Sequence, residues 1–359
     1  MTLLVAPQPF EGFQALGETW TRLEASVPAS FFQGWTWVGC LAEERYPDPV
    51  VLRAERDGVL VGLALFNRRR GVLHLAESGD PARDRPFTEH NGPLATDPAV
   101  AAALLRAAWA VPGMRGLVLG GMPPSLAAAA GGAEIRRQDR PAPTLDLAAL
   151  RAAGGELLPR LSANTRQQIR RSDRFYAAGE ALRLERAEGA AALDAWFPEI
   201  LRLHEASWQR RGQAGAFATP WLTRFHRCLM ERALAAGQLD LLRITGGRGL
   251  VGLLYNLRFR GVVYAYQSAL ADPAGQPQAR PGLTCHALAI AEALRRGDRI
   301  YDFLAGDQRY KRSFSDGGVT LAWVELARPW SPRAALSRLR RAAGALRSGA
   351  AASPDTAGL

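Results

Sequence analysis

Residues 239–270 have the sequence LDLLRITGGRGLVGLLYNLRFRGVVYAYQSAL, and this stretch decides the fold class. It contains three runs rich in β-branched, aromatic and leucine residues, at 239–244, 250–259 and 262–270. The turns between the runs are short and contain glycine, which predicts an antiparallel meander. A helix over 283–296 and a strand over 299–304 are expected to follow, so this half of the chain is predicted to be mixed α+β.

The first half of the chain has the same order of patterns. Two β-rich runs, 50–55 and 59–66, flank Arg56-Asp57-Gly58 and predict a hairpin, and a helix and a short strand are expected after it. This similarity predicts two tandem units, each with a mixed, mostly antiparallel sheet flanked by helices. The predicted divisions are 1–150, 151–328 and a basic helical tail at 329–359.

Local signals place several further elements around these runs. Asn164 is expected to cap one helix, a second is expected over 198–211, and Thr219-Pro220 is expected to begin a third. Pro141-Ala142-Pro143 is interpreted as a crossing segment between the units, and 305–316 as a loop.

Composition sets the broad class of the protein. The chain has 359 residues with 45 basic and 34 acidic side chains, and Lys311 is its only lysine. So strong an excess of arginine is typical of GC-rich coding, which makes individual arginines weak evidence of chemistry. Hydrophobic residues make up 48% of the chain and charged residues 22%, values that exclude collagen-like and wholly disordered proteins.

Cysteine and histidine usage argues against a metal site. The three cysteines form no Cys-x-x-Cys pair and no two histidines have ligand spacing, so no bound metal is expected. Residues 1–10 lack a basic region followed by an apolar core, so no secretory signal is expected. No transmembrane segment is expected either. The cytoplasm is the predicted compartment.

The positive charge is concentrated in the second half. Residues 1–150 have 14 arginines and 16 acids, residues 151–328 have a net charge of +9, and the tail has a net charge of +4. A field of this sign favours an anionic partner such as a nucleotide-bearing donor, tRNA or a membrane surface. Dispersed arginines that only keep the protein soluble are the alternative.

The start of the helix after the meander is a candidate phosphate site. The sequence there is Arg280-Pro281-Gly282-Leu283-Thr284, with a glycine and a hydroxyl in the first helical turn. Free N–H groups and the helix dipole at an N-terminus favour phosphate, and glycine permits close approach. A plain strand–helix turn is the alternative, and on this motif alone it is favoured.

The second candidate site follows the next strand. Residues 301–314 read YDFLAGDQRYKRSF and place Asp302, Asp307 and Lys311 in or just beyond a strand end. Lys311 is suited to stabilising an oxyanion during acyl transfer. Asp302 or Asp307 is suited to taking a proton from an amine, but on its own each aspartate is favoured as a structural residue that anchors the loop by salt bridges.

The order of meander, Pro-Gly, helix and Tyr-Asp-Phe-Leu-x-Gly-Asp-x-x-Tyr-Lys resembles a known family. It is similar to the acetyltransferase domain of the CelD (cellulose biosynthesis) group in the GNAT superfamily. Three other stretches agree with that resemblance, which covers most of residues 30–326: Phe31-Phe32-Gln33-x-Trp35-x-Trp37, Leu161–Arg166 followed by Arg170-Arg171, and Leu203-His204-x-x-x-Trp208-x-x-Arg211-Gly212. The chain also resembles the Fem-type peptidyltransferases, whose aromatic-Lys motif Tyr310-Lys311 matches.

The resemblance implies N-acyl transfer from a thioester, usually acetyl-CoA, to an amine. Arg280, Pro281, Gly282, Leu283 and Thr284 would then hold the pyrophosphate of acetyl-CoA or another acyl-CoA. The superfamily's usual loop has two spaced glycines, whereas Leu283 and Thr284 follow Gly282 here. This departure leaves an aminoacyl-tRNA ester, the donor of a Fem-like enzyme, as an alternative.

The second signature adds candidate acceptor residues. His204 and Trp208 are neighbours on one helix face, so His204 is either a general base or a histidine packed beside a core tryptophan. Trp208, Arg211 and Tyr310 are predicted to contact substrate. Arg166 lies on a basic helix face that is predicted either to hold a polyanionic substrate or to be a solvated stripe.

The leading hypothesis is a GNAT-type N-acyltransferase that acts on an amine-bearing small molecule or sugar, in polysaccharide or envelope metabolism. Lys311 is assigned to the oxyanion or phosphate contact, and Asp302, Asp307 or His204 to proton handling. The alternatives are a tRNA-dependent Fem-like transferase and a degenerate, non-catalytic binding protein. The basic tail is expected either to dock on the domain or to make a weak contact with an anionic membrane surface.

Overall fold

The computed structural model describes residues 2–84, 88–272, 275–339 and 341, and in them the chain forms thirteen strands. The strands are β1 (Leu3–Gln8), β2 (Pro49–Arg56), β3 (Val59–Arg69), β4 (Val72–Leu75), β5 (Leu94–Ala95), β6 (Gly116–Met122), β7 (Ala133–Asp146), β8 (Arg183–Arg186), β9 (Leu239–Gly246), β10 (Gly249–Phe259), β11 (Val262–Leu270), β12 (Ile300–Asp302) and β13 (Gly317–Ala327).

The α-helices flank these strands. They are α1 (Phe13–Ser26), α2 (Trp35–Arg45), α3 (Pro98–Ala107), α4 (Pro124–Ala129), α5 (Leu147–Ala152), α6 (Leu157–Arg160), α7 (Ala163–Ala177), α8 (Ala190–Gln209), α9 (Pro220–Ala235), α10 (Pro281–Arg296) and α11 (Arg309–Phe314). Short 3₁₀ turns cover Phe31–Gln33 and Ala108–Ala110. In the tail, residues 332–339 are helical, and residue 340 and residues 342–359 lie outside the described part of the chain.

The strands form one mixed sheet across the described residues, in the order β1-β2-β3-β4-β6-β13-β7-β12-β11-β10-β9-β8, with β5 paired to β3 beside this path. One scheme occurs twice: an antiparallel meander, a helix, and then a strand that pairs in parallel with the last meander strand. The first meander module consists of β2, β3, β4, α3 and β6, and the second of β9, β10, β11, α10 and β12. The predicted mixed α+β class, with helices on the sheet, is confirmed.

Alternation along β10 explains why both faces of the sheet are covered. Leu253 and Tyr255 belong to an apolar cluster under α2, α8 and α9, whereas Leu254 belongs to the cluster under α7 and α10. Successive strand residues point to opposite faces, so a central strand that is buried on both sides has an almost continuous apolar sequence.

The parallel pair in the second meander module is short. Only Val262–Tyr264 pairs with Ile300–Asp302, although β11 continues to Leu270. After β12 the chain follows β7 instead, because Phe303 N–H donates to the Pro143 carbonyl and Gly306 N–H to the Pro141 carbonyl. The two chain segments therefore diverge beyond Tyr264, and a gap opens between them.

Residues 141–143, interpreted as a crossing segment between the units, are part of a strand. They lie within β7, which pairs with both β12 and β13. The N–H and C=O of one strand residue point to the same side, so the missing N–H groups of Pro141 and Pro143 face the irregular segment after β12 rather than β13. β13 also pairs with β6, so the sheet continues across residue 150. The division into units there stays a prediction.

Three local predictions also need correction. The helix expected from residue 198 begins at Ala190, because buried Leu193, Phe197 and Ile200 continue one apolar stripe past Pro198. Ser162, not Asn164, caps α7, with its hydroxyl accepting the Thr165 N–H. The loop expected over 305–316 contains α11, and β1 and α1 are elements that were not predicted.

Candidate functional site

A cavity of about 910 Å³ occupies the gap where β11 and β12 diverge. Its wall contains eight of the predicted site residues, namely Lys311, Tyr310, Arg280, Pro281, Gly282, Leu283, Trp208 and Arg211. It also contains residues that the sequence did not single out, among them Glu89, Arg140, His226, Tyr266, Gln267 and His286. A more open depression of about 1060 Å³ on α1 and α2 contains none of the predicted residues. The divergence of the strands thus brings both sequence motifs to one cavity.

The N-terminus of α10 forms one end of the cavity. Its N-cap residue, Arg280, makes no side-chain cap, and the Leu283 and Thr284 N–H groups both donate to the Arg280 carbonyl. Pro281 has no N–H, so the Gly282 amide is the first-turn donor at this end. A Cβ on Gly282 would come within 3.3 Å of Leu270. The arrangement suits an anionic group at the Gly282 amide, with the exposed Arg280 beside it.

Thr284 does not face the cavity. Its hydroxyl is wholly buried and lies 2.8 Å from Ser172 Oγ, and it donates to Asp173 Oδ1. Burial raises the pKa of Asp173, and the bond from Thr284 opposes that shift. The side chain predicted to meet a pyrophosphate therefore joins α10 to α7.

Lys311 lies at the other end of the cavity, in α11. Its Nζ donates to the Leu304 and Ala305 carbonyl oxygens, each at 2.9 Å, and the residue is only 6% exposed. Burial lowers the pKa of Lys311 to about 8, against the opposing effect of the Glu89 and Asp302 carboxylates. An ammonium group has three donors, so one N–H remains for a ligand.

Asp302 forms a buried pair with His90. Asp302 Oδ2 lies 2.9 Å from His90 Nε2, and Asp302 Oδ1 accepts the Leu304 N–H at 2.7 Å. Burial lowers the pKa of His90, but the bond and the charge of Asp302 outweigh it, so the net shift is upward. Asp302 is therefore committed to holding the loop and the imidazole.

The remaining candidates lie outside the cavity wall. Asp307 is exposed and pairs with Arg312 at 2.8 Å. Arg166 donates to the Pro159 and Leu161 carbonyls at the start of α7. The structure does not bring either side chain to Lys311.

His204 is packed beside the cavity rather than in its wall. Its Nε2 accepts the Trp208 indole N–H at 2.8 Å, and burial lowers the pKa of His204 to about 4. The face shared by His204 and Trp208 exists as predicted, with the tryptophan toward the cavity. The bond fixes the indole and occupies the imidazole nitrogen that would have to accept a proton.

Tyr310 and His286 form a stacked pair in the cavity wall. Their ring centroids are 5.1 Å apart with planes at 16°, and His286 Nδ1 lies 2.9 Å from the Tyr301 hydroxyl. Burial lowers the pKa of His286 to about 3, so the ring is neutral. The aromatic residue before Lys311 therefore fixes the orientation of α11 against α10.

Glu89 was missed by the sequence reasoning. It accepts the Ala305 N–H, which lies 216 residues along the chain, and Lys311 binds the carbonyls beside that amide. No motif joins residues at such a separation, and Thr88-Glu89-His90 reads as an ordinary polar loop. Only the long-range pairing of the sheet reveals that it faces Lys311.

Among the described residues, no group of three His, Cys, Asp or Glu side chains is arranged to hold a metal ion. None of the helices in residues 2–84, 88–272, 275–339 and 341 is long and apolar enough to cross a bilayer.

Comparison with known proteins supports the fold. Residues 163–312, which include Gly282 and Lys311, match the family model described as acetyltransferase (GNAT) domain, whereas no curated protein sequence matches the chain. The solved structure of FemX is similar with a TM-score of 0.61 at 10% identity, covering 93% of this chain and 99% of FemX.

Two further solved structures are similar over comparable lengths. The C-terminal domain of a protein named as a lysylphosphatidylglycerol synthetase, from Agrobacterium fabrum, has a TM-score of 0.55 at 13% identity and covers 92% of this chain and 97% of that domain. The L-PGS structure from Bacillus licheniformis has a TM-score of 0.53 at 12% identity, with 90% and 96% covered. Residues 163–312 therefore match the acetyltransferase (GNAT) domain model, and the chain has a mixed α+β, GNAT-like fold.

Proposed function

We propose that this protein is an N-acyltransferase that moves an acyl group, in the first instance acetyl, from acyl-CoA to an amine. The observation that supports this most is the single cavity of about 910 Å³ that joins the α10 N-terminus to Lys311. An anion site and a buried cation at opposite ends of one cavity suit a donor with a phosphate-bearing arm and a polarisable carbonyl.

The donor is proposed to bind with its pyrophosphate at Gly282 and Arg280. The Gly282 amide, the positive end of the α10 dipole and the arginine all favour phosphate oxygens. Leu283 and Pro281 provide apolar contact beside them. Trp208 and Arg211 line the same cavity and are proposed to contact the acceptor.

Lys311 is proposed to stabilise the negative charge that develops on the thioester carbonyl oxygen. At neutral pH a group with a pKa of about 8 is mostly protonated, and its third N–H is available. Attack by the amine then needs only positioning, a proton acceptor and this charge stabilisation, without a covalent enzyme intermediate.

The biological setting follows from the family resemblance and is part of the proposal. A CelD-type grouping implies an amine-bearing small molecule or sugar as acceptor, in exopolysaccharide or envelope metabolism in the cytoplasm. The net charge of +9 in residues 151–328 is compatible with a polyanionic donor.

The test is release of free thiol from acetyl-CoA in the presence of a broad amine panel, with acetyl-CoA binding measured by calorimetry. Lys311→Ala is expected to reduce kcat/KM on the order of 100-fold while circular dichroism stays unchanged. Lys311→Met keeps the length of the side chain if the alanine variant fails to fold. Arg312→Ala, an exposed neighbour in α11, is the matched control. Turnover near that of the wild type in both Lys311 variants would contradict the assignment.

A tRNA-dependent transferase is the second candidate. It is favoured by the fold likeness to FemX, to a protein named as a lysylphosphatidylglycerol synthetase and to L-PGS, together with the basic second half. Binding to tRNA through phosphates would weaken steeply as salt rises. The test is filter binding of aminoacyl-tRNA, measured from low to physiological salt. No retention of aminoacyl-tRNA even at low salt would exclude the tRNA-dependent transferase.

A further inference from the structure

Glu89 is a buried carboxylate in the cavity wall, on the segment between β4 and β5. It is 8% exposed, its Oε2 accepts the Ala305 N–H, and its Oε1 accepts no hydrogen bond from the described residues. Because Glu89 lines the cavity, this oxygen is accessible to water or to a ligand that donates a hydrogen bond. The cavity therefore contains a carboxylate acceptor that a ligand can reach.

Glu89 and Lys311 bind opposite ends of one peptide group. Lys311 donates to the Leu304 carbonyl, and Glu89 accepts from the Ala305 N–H of the same peptide. Leu304 has a φ of +59°, a conformation that residues other than glycine rarely adopt. Strain of this kind persists only where surrounding contacts enforce it, and it is common at functional sites. The loop thus holds a carboxylate and an ammonium at a fixed separation.

Residues 88–91, which include Glu89, are held in place by hydrogen bonds. The Thr88 hydroxyl donates to the Ala76 carbonyl, the Ser30 hydroxyl donates to the His90 carbonyl at 2.7 Å, and Asn91 Nδ2 donates to the Gly120 carbonyl at 2.9 Å. These bonds fix the backbone on both sides of the carboxylate. Such preorganisation is what a binding or proton-transfer group requires.

The other candidate proton acceptors are already engaged. Asp302 bonds to His90 and to the Leu304 amide, and exposed Asp307 pairs with Arg312. His204 accepts the Trp208 indole N–H. Near Lys311, Glu89 is the described carboxylate that both lines the cavity and keeps an oxygen available.

We propose that Glu89 binds the amino group of the acceptor as an ammonium ion and removes its proton, so that the acceptors are primary alkylamines. This inference rests on the proposed acyl transfer and adds the class of acceptor to it. A carboxylate in a desolvated pocket favours a cation over a neutral aromatic amine or a hydroxyl.

The step balances with the proposed donor. The ammonium gives one proton to the Glu89 carboxylate, and the neutral amine then forms a C–N bond to the thioester carbonyl carbon. The C–S bond breaks, a second amine proton goes to the departing thiolate, and the third remains on the amide. Glu89 afterwards releases its proton to solvent. The products are an amide, free CoA thiol and one proton.

Several charged groups face Glu89 and set its titration. Burial raises the pKa of Glu89, whereas the Ala305 amide, Lys311 and His90 lower it and Asp302 raises it. Tyr266 and Arg140 also line this part of the cavity. The net shift is upward, so transfer to an alkylamine is expected to rise with pH through a pKa above the ordinary 4.5 of a glutamate.

Glu89→Gln and Glu77→Gln form a matched pair for the test. Burial also raises the pKa of Glu77, to about 8, and Glu77 lies on the same segment but not in the cavity wall. With n-pentylamine and acetyl-CoA, Glu89→Gln is expected to lose on the order of 100-fold in kcat/KM and to lose the acidic limb of the pH profile. Its loss with an aromatic amine is expected to be smaller, and its acetyl-CoA affinity unchanged.

Two results would overturn the assignment of Glu89. One is kcat/KM of Glu89→Gln within threefold of the wild type, and the other is an equal loss in Glu77→Gln. If the wild type transfers no acyl group, calorimetric titration with n-pentylamine decides instead. Binding that Glu89→Gln abolishes supports the amine site, and no binding by the wild type overturns it. Absent acetyl-CoA binding, by contrast, counts only against the proposed donor.

Discussion

The helices α3 and α10 occupy equivalent places in the two meander modules, yet their N-termini differ. Each begins with a proline, Pro98 in α3 and Pro281 in α10. Before α3, Asp97 caps the helix by accepting the Val100 N–H at 2.9 Å. Before α10 stands Arg280, which makes no side-chain cap. One helix supplies its own anion, and the other leaves its positive end facing a cavity.

The gaps between the parallel strands differ in the same way. In the first meander module, Asn91 Nδ2 donates to the Leu75 carbonyl of β4 and the Gly120 carbonyl of β6, and so bridges the two strands. A Cβ on Gly121 would come within 2.1 Å of the Thr88 carbonyl oxygen. The segment with Asn91 therefore closes the first gap, whereas the equivalent gap in the second module is the cavity. That same segment contributes Glu89 to the open site.

Among the changes at the two helix N-termini, the largest effect on acetyl-CoA affinity is expected from making α10 resemble α3. Arg280→Asp places an acid where Asp97 stands in the first module, and it opposes both the helix dipole and a bound phosphate. Affinity for acetyl-CoA is expected to fall about 30-fold, or about 2 kcal/mol. Calorimetric titration at low salt measures the change.

The control for Arg280→Asp is Arg183→Asp. Arg183 is exposed on the edge strand β8, away from the cavity wall, and its replacement changes the net charge equally. If both variants weaken binding alike, the effect comes from the overall field and not from the α10 end.

A smaller effect on acetyl-CoA affinity is expected from Thr284→Val inside α10. The hydroxyl is shared with Ser172 and Asp173, so its loss leaves buried groups unpaired and is expected to cost about 2 kcal/mol of unfolding free energy. Affinity for acetyl-CoA is expected to change by less than about threefold, because the Thr284 hydroxyl faces Ser172 and Asp173 and not the cavity. Urea unfolding and calorimetry on one preparation separate the two roles. A large loss of affinity with unchanged stability would restore the predicted pyrophosphate contact.

Local sequence predicted the second meander module well because its signals are local. Alternating apolar runs, glycine turns and Pro-Gly before α10 are determined by neighbouring residues. The same locality brought Gly282 and Lys311 to notice, and the structure places both in one cavity. Thr284 shows the limit of prediction from local sequence, because the packing of neighbouring elements decides whether a first-turn hydroxyl faces solvent or the core.

The features that the sequence did not predict depend on contacts between residues that are distant along the chain. The insertion of β13 between β6 and β7 and the placement of Glu89 against Ala305 follow from which strand edges meet. Neither leaves a periodicity or a spacing in the sequence. Pro141 and Pro143 have no N–H to donate, and the irregular segment after β12 is what makes them acceptable within β7.

The smallest effect on stability is expected at the N-terminus of α3, where Asp97→Ala removes the side-chain cap. Losing an N-cap acid costs about 1 kcal/mol, so a small decrease in the free energy of unfolding and no change in acetyl-CoA affinity are expected. The bond from the Val100 amide, followed by Arg56 and Thr96, lowers the pKa of Asp97. The stability difference between wild type and variant should therefore be complete above pH 3.8 and disappear as pH falls through that lowered pKa.

Urea unfolding from pH 7 downward measures this difference. A variant as stable as the wild type at pH 7 would mean that the α3 end needs no anion. The difference between the N-termini of α3 and α10 would then reflect only that the first gap is filled and the second is open. The uncapped N-terminus of α10 would no longer be evidence for a phosphate site.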